Sequence, residues 1–367
     1  MLFILILSAF FLSAYLLYPL VIYFASSLKE EPLFPPLSGE FPMVTILVPV
    51  VEGFSGINEK IKNFREINYP SDRLFLKIGI DERPGTFFQI TQINECLTNI
   101  EIKRCGLKAG KTNVLRMLLN NTRSGLVLFT DCNSRLEPGA VREMVRCMSL
   151  PSTGAASAAL KLIDRGNNIN PESIYWGFEE KLKSLESKVF SMTGATGAAY
   201  MMRKEDINIP DSERLYADDY VIPSDIFKKG MRIRYCRNAV VHEPAESHTD
   251  DFFKRRLRIS EGNFNSLFFL LPNMYRSRIL FMFIFHKVAR WITPFAAVAS
   301  LPGFFCFIFT TGGYKGLAAV FVLSIFFIGA FLLRLRPARL AAHFLSANAA
   351  VIGGAFISLT GRKKSWW

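Results

Sequence analysis

Two long uncharged stretches bracket a charged middle, and this division limits what the chain can fold into more than any other feature. No charged residue precedes Lys29, so residues 2–24 are long enough to cross about 30 Å of hydrocarbon as a helix. The run has no basic flank before it and is too long for the apolar segment of a cleaved signal, which makes it a retained anchor. Residues 291–311 and 316–333 each have the length of a span, and Thr-Gly-Gly-Tyr-Lys separates them. Arg334, Arg336 and Arg339 follow, and the positive-inside rule places them in the cytosol. Residues 340–360 hold His343, Asn348 and many small residues. Such a segment crosses packed on other helices or lies along the interface. Arg362, Lys363 and Lys364 favour a cytosolic C-terminus, which an odd number of crossings contradicts.

Composition agrees with a mixed protein. Half of the 367 residues are hydrophobic and a fifth are charged, with a mean hydropathy of +0.23. The net charge of +13 is unevenly placed. Between Asp251 and Arg290 stand eight Lys or Arg against two acids, just before the apolar C-terminal third. A basic collar beside apolar helices suits anionic lipid. No nucleic-acid-binding motif is present. The six cysteines form no Cys-x-x-Cys pair, so reduced thiols are expected and neither a zinc site nor a disulfide framework is supported.

The middle of the chain alternates strands with helical stretches. Residues 44–50 and 74–80 read as strands, 57–67 and 111–120 as helices, 101–103 as the end of a third strand, and 126–130 as a fourth. Nearly continuous apolar strands with helices between them indicate a mostly parallel sheet covered on both faces. Ligands bind such sheets at the carboxyl ends of the strands, where Asp81 and Asp131 fall. One acid at a strand end is commonly a turn or helix cap. Two on the same rim point further.

Several clusters could carry chemistry. Asp131-Cys132-Asn133 sets a carboxylate and an amide oxygen two positions apart, fit to hold Mg2+ or Mn2+ against a diphosphate, or to form an Asx turn. Lys108-Ala109-Gly110-Lys111 puts two lysines around a glycine at a helix start, which favours anions or is a solvated helix end. Thr193-Gly194-Ala195-Thr196-Gly197-Ala198-Ala199-Tyr200 allows close approach of a ligand or of another backbone, or marks a tight sheet packing site. Asp218-Asp219 is a candidate general base, or two ordinary acids at a helix N-terminus. Lys254 to Arg258 is membrane-surface charge or a clamp on a departing diphosphate.

The order of these clusters resembles the inverting family 2 glycosyltransferases, a group that includes cellulose, hyaluronan and poly-N-acetylglucosamine synthases. The resemblance runs from the apolar N-terminus to Trp367. It implies a GT-A fold, an α/β Rossmann-like mixed and mostly parallel sheet in a cytosolic domain, with transmembrane helices at both ends. The implied organisation is an anchor over 1–27, the GT-A domain over 40–263, an interfacial basic segment over 264–290, and two or three membrane helices over 291–360.

By this resemblance Asp81 contacts the nucleotide, Asp131 and Asn133 hold Mg2+ or Mn2+, and Asp219, beside Asp218, deprotonates the acceptor. Glu52, Lys108, Lys111, Arg255 and Arg258 fall on the donor side, and Gly194, Thr196 and Gly197 on the acceptor side. Two positions depart from the family pattern. Val51-Glu52-Gly53 stands in place of Asn-Glu, and Ile259 in place of the tryptophan that stacks on the acceptor in processive synthases.

The implied partners are a UDP-linked nucleotide-sugar donor, a glycan or lipid-linked acceptor, membrane lipids, and polysaccharide assembly or export proteins. The implied location is the inner or plasma membrane. A transferase acting on a lipid acceptor and a catalytically silent member of an assembly complex are the competing readings.

Overall fold

The computed structural model describes residues 11–30, 34–36, 39–54, 56–84, 99–163, 171–211, 217–245, 249–275, 278–333 and 335–361. In chain order its elements are α1 (Tyr18–Ser27), β1 (Val44–Val51), α2 (Ile57–Arg65), β2 (Leu74–Glu82), β3 (Ile100–Leu107), α3 (Lys111–Asn120), β4 (Leu126–Thr130), the short β5 (Arg135–Leu136) and α4 (Ala140–Met148). They continue with β6 (Thr153–Ile163), α5 (Pro171–Val189), β7 (Ala199–Arg203), α6 (Asp218–Ser224), β8 (Arg232–Pro244), α7 (Thr249–Met274), α8 (Arg278–Phe283), α9 (Ala289–Leu332) and α10 (Arg336–Thr360). The chain divides into two compact units. One holds Ser26–Ala245 and Asn265–Ile279, and the other holds Met1–Ala25, Glu246–Phe264 and Leu280–Arg362.

Eight strands of the first unit form one sheet in the order β3-β2-β1-β4-β7-β6-β8-β5. β1 runs parallel to β2 and to β4, and β2 parallel to β3. β7 is antiparallel to both β4 and β6, β6 and β8 are parallel, and β5 closes the edge antiparallel to β8. This is the mixed, mostly parallel α/β sheet of a GT-A fold.

Seven of the eight β1 residues are buried, because helices cover both faces of the sheet. On one face Ile46, Val48 and Ile78 pack with Ile57, Ile61 and Phe64 of α2 and with Met144 and Val145 of α4. On the other, α3 lies so close that a Cβ on Gly79 would come within 2.4 Å of Val114. Each fully buried side chain of this size contributes about 1.5–3 kcal/mol.

One strand differs from expectation. Residues 101–103 begin β3 rather than end it, and the strand runs on to Leu107. The extension brings Arg104 to two acids, Glu52 at 2.8 Å and Glu82 at 3.0 Å, which hold it against the sheet edge.

The second unit is helical. Within α9 the backbone leaves helical geometry at Gly313 (φ 51°, ψ −145°), a left-handed φ that glycine adopts readily. A Cβ on Gly316 would lie 3.0 Å from the Ile308 carbonyl oxygen, whereas residues eight apart in one straight helix lie about 12 Å apart. The chain therefore folds back here, and the expected pair of apolar segments forms a helical hairpin. Among the described residues two helical runs are long and apolar enough to cross a membrane: Arg278–Ala330, which contains this reversal, and Pro337–Thr360. Ser13–Ser27 is a shorter apolar helix. Residues 2–10 of the expected anchor lie outside the described residues.

Candidate active site

The carboxyl ends of β1, β2 and β4 bring acids and bases of distant sequence together. Asp81 is the penultimate residue of β2 rather than the residue after it, and it is buried. Its Oδ1 accepts a hydrogen bond from the Ala109 amide at 2.6 Å, and its Oδ2 accepts from Gly110 N at 3.3 Å and Arg83 Nη2 at 3.0 Å. These bonds tie down the turn in which Lys108 (φ 52°) and Gly110 (φ 79°) hold left-handed conformations. That turn delivers Lys111 as the first residue of α3. Glu52, also buried, accepts from Arg83 N at 2.9 Å and from Arg104 Nη1 at 2.8 Å.

Lys111 is the hub. Its Nζ lies 2.9 Å from Asp131 Oδ1 and 3.0 Å from Asp218 Oδ1. Burial disfavours the ammonium, but Asp131 and Asp218 together outweigh it and hold its pKa above the ordinary lysine value. Asp218 and Asp219 open α6, so the helix-start reading and the clustering of acids at the rim are both realised. Protein atoms crowd Asp219 while part of its surface stays open to solvent. Burial first, and Asp218 second, push its pKa up to about 7.

With the site drawn, similarity to known proteins can be placed on it. The sequence profile described as glycosyl transferase family group 2 matches residues 126–333, a segment that carries Asp131, Asn133, Asp218, Asp219 and Arg258. The chain belongs to this glycosyltransferase family. No curated protein matches it. Among solved structures, the mannosyltransferase PcManGT from Pyrobaculum calidifontis, in complex with GDP-Man and Mn2+, superposes with a TM-score of 0.68 at 19% identity, over 98% of this chain and 99% of that one. S. aureus TarS 1-349 in complex with UDP has a TM-score of 0.43 at 12% identity, over 87% and 92% of the two chains.

In this glycosyltransferase the glycine-rich segment lies against the acid pair. Ala195 N donates to Asp219 O at 2.8 Å. A Cβ on Gly197 would come within 3.5 Å of Asp219 Oδ2, and one on Gly194 within 2.5 Å of the Tyr220 ring. The close approach read from the sequence is thus made by the protein's own Asp219 and Tyr220. Thr196 is buried; its amide donates to Ser157 Oγ at 2.9 Å and its hydroxyl accepts from Lys183 at 3.2 Å.

A divalent cation fits this rim. Asp131 and Asp218 already share one cation, the Lys111 ammonium. Among the described residues no three His, Cys, Asp or Glu side chains are placed to hold a metal ion by themselves. Asp131 would hold Mg2+ or Mn2+ through its carboxylate, and the ion would supply positive charge to a diphosphate. Asn133 is exposed on the same loop. Arg255 and Arg258, both part-exposed, belong to the N-terminal half of α7, in the helical unit.

Sequence reasoning passed over several neighbours. Tyr200 is fully buried and stacked on Phe129 at 4.7 Å. Its hydroxyl has no hydrogen-bond partner among the described residues. Burial, with Asp218, Asp219 and Asp131, raises its pKa, so the phenol remains a proton donor. Lys183 pairs with Glu180 at 2.9 Å and sits 5.1 Å from the centre of the Trp176 ring. Lys60 lies beneath the Asp131 loop. A readable signal existed only for Lys60. It interrupts the apolar face formed by Ile57, Ile61 and Phe64, a place where lysine is out of pattern.

Proposed function

We propose that this glycosyltransferase moves a sugar from a nucleoside diphosphate donor to a glycan acceptor, with inversion, in the synthesis of a cell-surface or extracellular polysaccharide. Asp219 takes the proton of the acceptor hydroxyl. The freed oxygen attacks the anomeric carbon as the bond from that carbon to the diphosphate oxygen breaks, and the nucleoside diphosphate departs with the electron pair. Asp81 organises the nucleotide end through the Lys108 to Gly110 turn, and Glu52 does so through Arg83 and Arg104. Lys111 offers a positive charge to the developing diphosphate. A Mg2+ or Mn2+ ion, with Asp131 and Asn133 on its protein side, would neutralise the leaving group when bound. Gly194, Thr196 and Gly197 shape the acceptor side.

The observation that carries this reading is Asp219. It is a carboxyl group set beside Gly197, with Asp218, Lys111 and Asp131 next to it in space and a pKa raised to about 7, as a general base working near neutral pH requires. The donor is a UDP- or GDP-linked sugar: family resemblance supports the first, and the GDP-Man complex of PcManGT the second. A lipid-linked acceptor is the second reading, favoured by the apolar runs Arg278–Ala330 and Pro337–Thr360. These runs also support an integral membrane protein, and Arg334, Arg336 and Arg339 at their junction support a cytosolic catalytic unit by the positive-inside rule.

The deciding experiment assays the purified full chain with Mn2+ and a panel of UDP- and GDP-sugars, with glycan and polyprenyl phosphate acceptors in separate arms. Turnover of one donor, lost in Asp219→Asn and after chelation, is the expected result. No turnover of any donor, or full activity in Asp219→Asn, would refute the assignment. With Ile259 in place of a stacking aromatic, the product should grow by one or a few sugars rather than into long polymer.

A further inference from the structure

Lys60 is a buried ammonium that the steps above do not use. It lies on α2 and is 3% exposed. Its Nζ donates to Thr130 Oγ1 at 3.1 Å and to the Ser134 carbonyl oxygen at 2.6 Å. Those two residues flank the Asp131-Cys132-Asn133 loop, one immediately before it and one immediately after. Thr130 Oγ1 in turn donates to Ala198 O at 2.7 Å, at the glycine-rich segment, and Ser134 Oγ donates to the buried Glu243 at 2.5 Å. Among the described residues no carboxylate lies within ion-pair distance of Lys60.

A full charge without a paired acid is costly to bury. If Lys60 only filled space between α2 and the sheet, a methionine would fill it at lower cost, as replacements of buried charges by apolar residues of similar volume show. What the ammonium adds is two directed hydrogen bonds that close both ends of one loop, together with a positive charge beneath Asp131. Asp131 and Glu243 favour that charge, while burial brings the Lys60 pKa down to about 8.

We propose that Lys60 is a positioning residue that clamps the Asp131–Asn133 loop from beneath and so sets its affinity for a divalent cation and the donor diphosphate. The inference rests on the glycosyltransferase reading of that loop. It assigns Lys60 no contact with either reacting group.

The test compares the full-length wild type with Lys60→Met and with Thr130→Val, measuring Mn2+ binding in the presence of GDP and, in parallel, UDP by the electron paramagnetic resonance of Mn2+. Melting temperature is followed in the same samples. The expected result is Mn2+ binding weakened about tenfold or more in Lys60→Met at an unchanged or higher melting temperature. In steady-state assays the metal concentration for half-maximal activity should rise while kcat at saturating metal stays within about twofold. Thr130→Val removes one acceptor of the same clamp and should weaken binding in the same direction, with the double variant no worse than the more affected single one. If Lys60→Met does not fold, Thr130→Val carries the test alone.

Unchanged Mn2+ binding in a folded Lys60→Met protein, or in Thr130→Val, overturns the clamp and leaves the glycosyltransferase reading standing. A wild type that binds no Mn2+ with either nucleotide overturns the metal-dependent reading and the clamp with it.

Discussion

Asp219 owes its proton affinity to two neighbours of different kinds. The protein around it withholds water, and Asp218 adds a like charge, so the carboxyl titrates near 7 rather than near the ordinary 3.8. For a general base this sets a rate profile: kcat/KM should climb with pH and level off above about 7, and Asp219→Asn should lose that limb together with about 10²–10⁴-fold in rate. The same shift acts on stability. Between 3.8 and 7 the folded chain keeps a proton that the unfolded chain has released, so this group's contribution to stability falls as pH rises through that window and is gone above it. Asp219→Asn removes the titration. Its melting temperature relative to wild type should therefore be higher at pH 8 than at pH 4, a difference that paired thermal melts would measure.

Among the elements, those fixed by local pattern were legible in the sequence, and those fixed by distant packing were not. Helix α3 begins at Lys111, as the Gly110 signal indicates, and β4 covers the expected 126–130. The turn and the apolar run each encode their own ends. The reach of Lys111 to both Asp131 and Asp218 could not be read that way, because α6 meets α3 only when the sheet has formed. β3 was misplaced because residues 101–107 alternate poorly between apolar and polar, and the pairing of Arg104 with Glu52 and Glu82 sustains the strand. The hairpin in α9 was half legible: the Gly-Gly pair marked a break, while the fold-back depends on contact between Gly316 and Ile308.

In the helical unit, α10 meets α7 through glycine. A Cβ on Gly354 would sit 2.5 Å from Ser260 Cβ and 2.9 Å from the Leu257 carbonyl oxygen, and one on Gly353 would sit 2.7 Å from Leu257. Small residues let helix backbones approach this closely in apolar surroundings. Gly354→Val should therefore force the two helices apart at a cost of about 1–3 kcal/mol. Differential scanning fluorimetry in detergent should show a lowered melting temperature, whereas Gly329→Val, where a Cβ would meet nothing within 4 Å, should leave it nearly unchanged.

For the whole molecule, two apolar helical runs and a net charge of +13 act together. Apolar area anchors, and basic residues add attraction to anionic lipid of about 1 kcal/mol each near the surface. The protein should stay in the membrane fraction through carbonate and high-salt washes and leave only with detergent, as immunoblots of the fractions would show. Release by salt alone would reduce the apolar runs to a peripheral role.

The Lys111 bridge also bears on the order in which substrates can arrive. Asp131, Asp218 and Lys111 sum to a single negative charge while Asp219 holds its proton. A bare nucleoside diphosphate sugar would carry two more negative charges into that space, whereas the same molecule with a divalent ion attached carries none. Electroneutrality would thus favour entry of the donor as its metal complex, with Asp131 and Asp218 the acids that would face the ion and Lys111 the cation left to face the phosphates. In the resting cleft the Lys111 ammonium already stands between Asp131 and Asp218, where such a positive charge would be needed.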